Sequence, residues 1–440
     1  MKIKQLLLFG ISLFGIASVP AQEKMSLTLD EAVKLAWEKN NEVTLADAKV
    51  NTRKNELQTI KNNQYPDLKL SGQYRHLTQA SVEMDNADSN ASSFPSPEQL
   101  LLAQANVSMP LFEGFKIQNN IKLSDNLYQA ENAYAAKTKE DITLRVVNYY
   151  TALYKAQKTL DILNENQKSS KQRVTDFTEL EKNGIIPRND LLKAQLQVSR
   201  IQISIDEAKS NLNNINFYLA TLLKIDTNTK LEVNESDFFT LKKEDAQKSD
   251  LVALENRKDL EAVHFQQKAS DASIKIAKSG YYPSIALIGG YAALDLKNIV
   301  TVTNAINFGI GISYDVGNIL KNRANVRVAE SKAIEVKTTE AILTDRIKNE
   351  VQKALEDYDL AINQSVVYEE AVQQSSENYR IVKDKFDNGL SDTNDLVEAD
   401  AEYLNAKVNT AVAKANIIQK YYELLSATGQ IAQSFNLSKI

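Results

Sequence analysis

The sequence predicts a mainly α-helical chain that carries two pairs of membrane-type β-strands and is built from one unit used twice. Three observations predict it. Only 13 glycines and 7 prolines punctuate 440 residues, so long unbroken elements are expected. Long tracts keep apolar residues at a 3.5-residue period, the spacing of helices that pack knobs into holes. Shorter tracts alternate polar and apolar residues, the pattern of strands with one face in lipid.

The duplication is read from paired segments. NGIIPRNDLL (183–192) and NGLSDTNDLV (388–397) share Asn-Gly, four intervening residues and Asn-Asp-Leu at an offset of 205 residues. YPDLKLSGQY (65–74) matches YPSIALIGGY (282–291), and PLFEG (110–114) matches YDVGN (314–318) more weakly. Residues 28–223 and 249–428 are therefore two copies of one unit.

Taken in order, Lys2 and Lys4 precede the apolar run 6–17 and small Ala21, a secretory signal over residues 1–21. Residues 22–64 are assigned to N-terminal helices: Thr28 and Glu31 form a capping box, and a second helix runs from Glu42 to Asn63. Residues 65–113 form the first strand pair. Leu68, Leu70 and Tyr74 alternate with Lys69, Ser71, Gln73 and Arg75, and Leu101, Ala103, Ala105, Val107 and Met109 alternate in the partner. The segment 78–98, with Glu83, Asp85, Asp88, Pro95 and Pro97, reads as an external loop. Over 114–223 come a long helix, a turn (183–190) and a return helix. Ile142, Val146, Tyr149, Leu153 and Ala156 mark the long helix, and Leu191, Ala194, Val198, Ile201 and Ile205 the return.

After a linker (224–248) the order repeats: a helix over 249–281, strands over 282–316, and a long helix, turn (388–395) and return helix over 317–428. Ile306, Phe308, Ile310 and Ile312 alternate cleanly with Asn307, Gly309 and Gly311. The strand before them is less clean, with Ala286 and Ile288 on its polar face. Ile347, Val351, Ala354, Tyr358 and Ala361 open the second long seam, and Leu396, Ala399, Tyr403 and Ala406 mark its return helix. Residues 429–440 form a tail.

The long helices, 116–182 and 318–387, would each reach about 100 Å. The shorter helices would stack end to end beside them. Four strands cannot close a barrel, and open edges are not tolerated in lipid. Two copies of the chain would give eight strands, nearly filled by side chains; three would give twelve.

Composition excludes several functions. There is no cysteine, hence no disulfide, thiolate metal site or lipid attached through sulfur. A net charge of −5 gives no reason to expect nucleic acid. Beyond the signal, no apolar run is long enough for a spanning helix. GIGISYDVG (309–317) lies in a strand pattern and lacks the third glycine of a phosphate loop. His76 and His264 share no ligand spacing. No nucleophile, metal or cofactor motif supports an enzyme, and no cofactor is expected.

Together, LTLDEAVKLAWEKN (27–40), YPDLKLSGQY, PLFEG, the two NG turns and the duplication resemble the TolC-like outer-membrane efflux proteins over essentially the whole mature chain. The resemblance implies a homotrimer in the outer membrane of a Gram-negative bacterium. Four strands per chain would contribute to a 12-stranded β-barrel, set in outer-membrane lipid and continuous with a periplasmic α-helical coiled-coil barrel. It further implies passive export of small molecules or proteins, delivered by an inner-membrane RND, ABC or MFS pump through a periplasmic adaptor. Residues 224–248 and 429–440 would form an equatorial belt.

The resemblance also places the NG turns at the periplasmic tip. There Asn183, Gly184 and Ile185, with Asn388, Gly389 and Leu390, would dock the adaptor. Asp190 matches an aspartate of the closing network. Asp395 and Glu398 match two acidic positions of a constriction ring, and their i, i+3 spacing independently puts them on one helical face. Six such carboxylates would favour cations and bind multivalent ones. Phe386 matches a tip aromatic. Ser391 stands where the type member has a basic gate residue, and Arg188 is the candidate replacement.

Plainer readings exist for several of these. Asp190 and Asp395 suit a helix first turn, where the macrodipole favours acids. Gly184 and Gly389 suit left-handed helix ends. Tyr65, Tyr281, Tyr282 and Phe112 at strand ends fit an aromatic girdle or ordinary packing. The rival reading of the whole chain is a periplasmic coiled-coil adaptor without a barrel, which would show one hairpin and no amphipathic strands.

Overall fold

A computed structural model describes residues 24–78, 97–238, 250–297 and 299–435. The expected signal segment, most of the expected external loop and the second half of the linker lie outside the described residues. The chain folds as two compact units, each assembled from three stretches.

The first unit comprises residues up to Asn40, Ile142–Glu244 and Asp357–Tyr422. It holds β1 (Lys24–Leu27), α1 (Leu29–Lys39), the later part of α3 (Lys116–Lys182), α4 (Arg188–Leu223) and β4 (Lys230–Val233). It also holds the later part of α7 (Gly317–Asp387) and most of α8 (Thr393–Ala427). α1 opens as its sequence requires: the Thr28 hydroxyl accepts from the Glu31 N–H, and the Glu31 carboxylate accepts from the Thr28 N–H. That pair satisfies two N–H groups that a helix start leaves unbonded.

Two assignments need correction here. Lys24–Leu27 is a strand, although 22–64 reads as helical, and it pairs in parallel with Lys230–Val233 from the linker. Four residues are too few to display a period of two, so tertiary partners decide the conformation. Tyr150 is such a partner. Its buried hydroxyl lies 2.6 Å from Asp237 and 2.8 Å from the Leu27 carbonyl, and accepts from the Asn234 N–H. Gln157 and Asn216 bond the backbone of β4.

The second unit comprises Asn41–Asp141, Asp245–Glu356 and residues from Glu423 onward. It contains α2 (Asn41–Asn62), α5 (Asp250–Asn256), α6 (Lys258–Ser279) and a four-stranded sheet. The sheet runs antiparallel in the order β2 (Asp67–His76), β3 (Gln99–Glu113), β5 (Ser284–Leu296), β6 (Val300–Ser313). β2 and β6 are its edges. Its register carries the alternation across all four strands: Leu68, Val107, Gly289 and Phe308 form one row, and Lys69, Asn106, Gly290 and Asn307 the next, on the opposite face. Gly290 leaves room for the flanking amides; a Cβ there would meet Asn106 Oδ1 at 3.0 Å. The apolar face stays uncovered, with Phe308 90% and Ile312 72% exposed. β6 starts at Val300, six residues before the alternation becomes clean, because Val300–Thr303 are all β-branched.

The helical part of the second unit closes over Ala253, Leu260, Ile347, Val351 and Ala427. Arg257, at the break between α5 and α6, is its polar hub. It grips Asp259 with two nitrogens, and its third reaches Glu350 and the Ala427 carbonyl. In the first unit Asn40, at the break between α1 and α2, similarly donates to the Leu222 carbonyl. The return helices end alike as well, with left-handed Lys224 (φ 57°) and Gly429 (φ 72°) at matching positions.

Candidate functional site at the hairpin tips

Both tips belong to the first unit. At the first, Gly184 (φ 73°) ends α3: its N–H bonds the Glu181 carbonyl and the Ile185 N–H bonds that of Leu180, each at 2.9 Å. At the second, Gly389 (φ 71°) ends α7 through the same pair of bonds, to Phe386 and Lys385. This is the Schellman pattern, which needs the left-handed residue that glycine supplies. Asn183 and Asn388 each add a side-chain bond of 2.7 Å to a carbonyl four residues back. The residue after the glycine usually packs back on its helix in this motif. Here Ile185 and Leu390 stay 67% and 77% exposed.

The tips diverge where the next helix starts. Pro187 precedes α4 with no side-chain cap. Asp392 precedes α8 and accepts from the N–H groups of Asn394 (2.7 Å) and Asp395 (3.0 Å). The Asp395 N–H first, with that of Asn394, holds the Asp392 carboxyl below its usual range.

Each residue singled out in the sequence has a definite place. Asp190 and Asp395 both lie in helix first turns. Asp190 pairs with Lys193 at 3.4 Å, whereas Asp395 accepts from the Ser391 hydroxyl at 2.7 Å. Glu398 is exposed, as is Asp395. Arg188 lies 3.9 Å from Glu181 of its own hairpin. Phe386 is half-buried and stacks on Phe177, with centroids 5.3 Å apart. They share a cluster with Leu191, Ala194, Leu396 and Tyr379. The structure thus joins Phe386 to the packing between hairpins and leaves Asp190 and Asp395 with separate partners.

Sequence reasoning missed a buried ion pair above this cluster. Arg173 on α3 meets Asp400 on α8 at 3.0 Å, with side chains only 10% and 5% exposed. Its other terminal nitrogen donates to the Tyr379 hydroxyl on α7 at 2.9 Å. One guanidinium thus ties three helices. A signal existed: both charges flank an apolar seam, at the positions where coiled coils place interhelical ion pairs.

Comparison with known proteins bears on this arrangement. The sequence model of a family described as outer membrane efflux protein matches residues 32–223 and 252–430, bracketing the two copies. The outer membrane protein TolC of Vibrio cholerae serotype O1 is 23% identical over 361 residues, covering 77% of this chain and 79% of that protein. Among solved structures, the outer membrane protein VceC of Vibrio cholerae superposes with a TM-score of 0.79 at 15% identity, over 91% of this chain and 96% of that one. The CmeC outer membrane channel of Campylobacter jejuni gives 0.78 at 19% identity, over 98% and 94%. The structural likenesses establish a shared fold.

Proposed function

The chain belongs to the outer membrane efflux protein family, and from that premise we propose that it is the outer-membrane duct of a tripartite efflux or type I secretion system. Its place is the outer membrane. Three copies would close a 12-stranded barrel by pairing β6 of one copy with β2 of the next, and their helices would continue it as a periplasmic coiled-coil barrel. The observation that carries this reading is the four-stranded sheet, with two open edges, one polar face and one uncovered apolar face. In water such a sheet would be an aggregation template. In lipid the same features suit a barrel wall.

In this reading an inner-membrane RND, ABC or MFS pump delivers small molecules or proteins through a periplasmic adaptor, and the chain performs no chemistry itself. The exposed Ile185 and Leu390, held out by the Asn183-Gly184 and Asn388-Gly389 turns, offer the adaptor apolar contacts. Asp395 and Glu398, repeated by threefold symmetry, line the constriction. Asp190, Arg188, Ser391 and Phe386 take part in closing it.

Crosslinking in mild detergent should give a trimer; a monomer or dimer would overturn the twelve-stranded barrel. Planar-bilayer recordings should show cation preference that Asp395→Asn with Glu398→Gln weakens. Anion preference indifferent to both changes would remove the acidic constriction. The rival barrel-free adaptor would fractionate away from membranes and show no heat-modifiable gel migration.

A further inference from the structure

The junction between β3 and α3 carries features that neither the gate nor the barrel wall uses. The chain turns there through Gly114 (φ 61°) and Phe115 (φ 65°). A left-handed phenylalanine is strained, so its surroundings must hold it. Gly114 is seated so closely that a Cβ would fall 2.7 Å from the Ser279 carbonyl oxygen and 2.8 Å from Tyr282 Cβ. Asn119 Nδ2 donates to the Phe115 carbonyl at 3.0 Å.

The rings at this junction point to the apolar side of the sheet. Phe112 is in register with Ile285 and Ile312, on the same face as Phe308. Phe115 and Tyr282 both meet Phe112 edge-on, at 5.4 and 6.3 Å, and both are more than half exposed. They mark the border of that face.

At this border lies a cleft of about 380 Å³ between the start of α3 and the end of α6. Lys122, Lys275, Lys278 and Gln118 line it with the two rings, and no acidic residue does. Lys278 has one acidic neighbour, Glu330, at 4.0 Å. Among the described residues Lys122 and Lys275 have no ion pair. α3 begins here without an acid in its first turn, so its N-terminal dipole also favours an anion. Aromatic rings with lysines just beyond an apolar face are the composition of a membrane interface.

We propose that this cleft binds the phosphate of a glycerophospholipid headgroup in the periplasm-facing leaflet, with acyl chains along Phe112, Ile285 and Ile312. The proposal rests on the reading of the strands as an outer-membrane barrel. A free phosphate ion offers the same charge without the tails, so the test separates the two.

The full chain would be reconstituted with phosphatidylglycerol and phosphatidylcholine, and bound lipid counted by native mass spectrometry. The wild type should retain phosphatidylglycerol. Lys122→Gln/Lys275→Gln/Lys278→Gln should bind it at least about tenfold more weakly, since each lysine near a lipid surface attracts its anionic headgroups. The corresponding triple Arg variant should retain it, and so should Lys332→Gln/Lys337→Gln/Lys348→Gln, which alters exposed lysines elsewhere. Equal retention by the cleft Gln variant and the wild type would overturn the proposal. Displacement of the lipid by inorganic phosphate at equal concentration would overturn the lipid source. Outer-membrane fractionation of the cells that produce the protein distinguishes the levels: a wild-type chain absent from that fraction sinks both readings, and a chain present there with an indifferent cleft sinks only this one.

Discussion

Asp190 and Asp395 occupy equivalent positions, 205 residues apart, in the first turn of the helix leaving each tip. Three residues further on, the first copy has Lys193 and the second Glu398. Lys193 sits 3.4 Å from Asp190 and offsets its charge locally. Glu398 instead adds a carboxylate to the face that carries Asp395. The reversing turns themselves share the same pair of glycine-region bonds and the same Asn side-chain bond. The lesson is that the duplicated scaffold holds its backbone geometry constant and puts its differences into charge. The same holds elsewhere. The positions matching Arg173 and Asp400 in the other copy are Asn378 and Gln195, so the buried ion pair occurs in one arrangement only. At the helix breaks, neutral Asn40 answers charged Arg257.

The largest effect expected from breaking this asymmetry is at Arg173. Arg173→Met leaves Asp400 buried and unpaired, and should destabilise the chain by about 3–5 kcal/mol in denaturant unfolding. Arg173→Met with Asp400→Leu should recover most of that loss. A single variant as stable as the wild type would show that the pair is solvated.

Glu140 comes next. It is only 3% exposed, and one carboxylate oxygen has no hydrogen-bond partner. Its counterpart in the other copy, Asp345, is exposed. Burial pushes the Glu140 carboxyl up to about 7, against the pull of Lys137, Lys258 and Arg257. Because the folded-state value is raised, its stabilising proton is fully present below about pH 4.5 and is lost as pH rises through 7. Glu140→Gln should therefore flatten the fall in unfolding free energy between pH 5 and 8, and gain up to about 3 kcal/mol at pH 8. Parallel wild-type and variant curves would show that this carboxyl does not titrate in that window.

The smallest effect separates the two helix starts. Asp392→Ala removes two backbone bonds and should cost about 1 kcal/mol. Pro187→Ala removes no side-chain cap and should change stability by a few tenths. Equal losses in thermal unfolding would mean the starts differ in sequence alone.

How much of this was legible depended on length and on partners. The long helices run between Gly and Asn punctuation, and periodicity sustained over dozens of residues is hard to mistake; α3 ends at Lys182, directly before Asn183. The Thr28–Glu31 box announced α1 because its partners are three residues apart. β1 and β4 were invisible because each is four residues long and depends on Tyr150 and Asn216, far away in sequence. Arg173 and Asp400 were equally hidden: a charge beside an apolar seam looks solvated until the facing helix is known. Phe386 drew notice through the resemblance alone, and its ring partner Phe177 lies in the other copy, where no local pattern connects them.

The edge strands β2 and β6 carry a consequence for biogenesis. Until its two ladders of backbone donors and acceptors find partners, each newly made chain is a template for any strand it meets. The yield of correctly inserted protein is then a race between productive pairing and irreversible clumping. If the strands close the proposed barrel, a substitution in β2 or β6 that spares its finished wall can still lower its yield, by lengthening the time an edge spends alone.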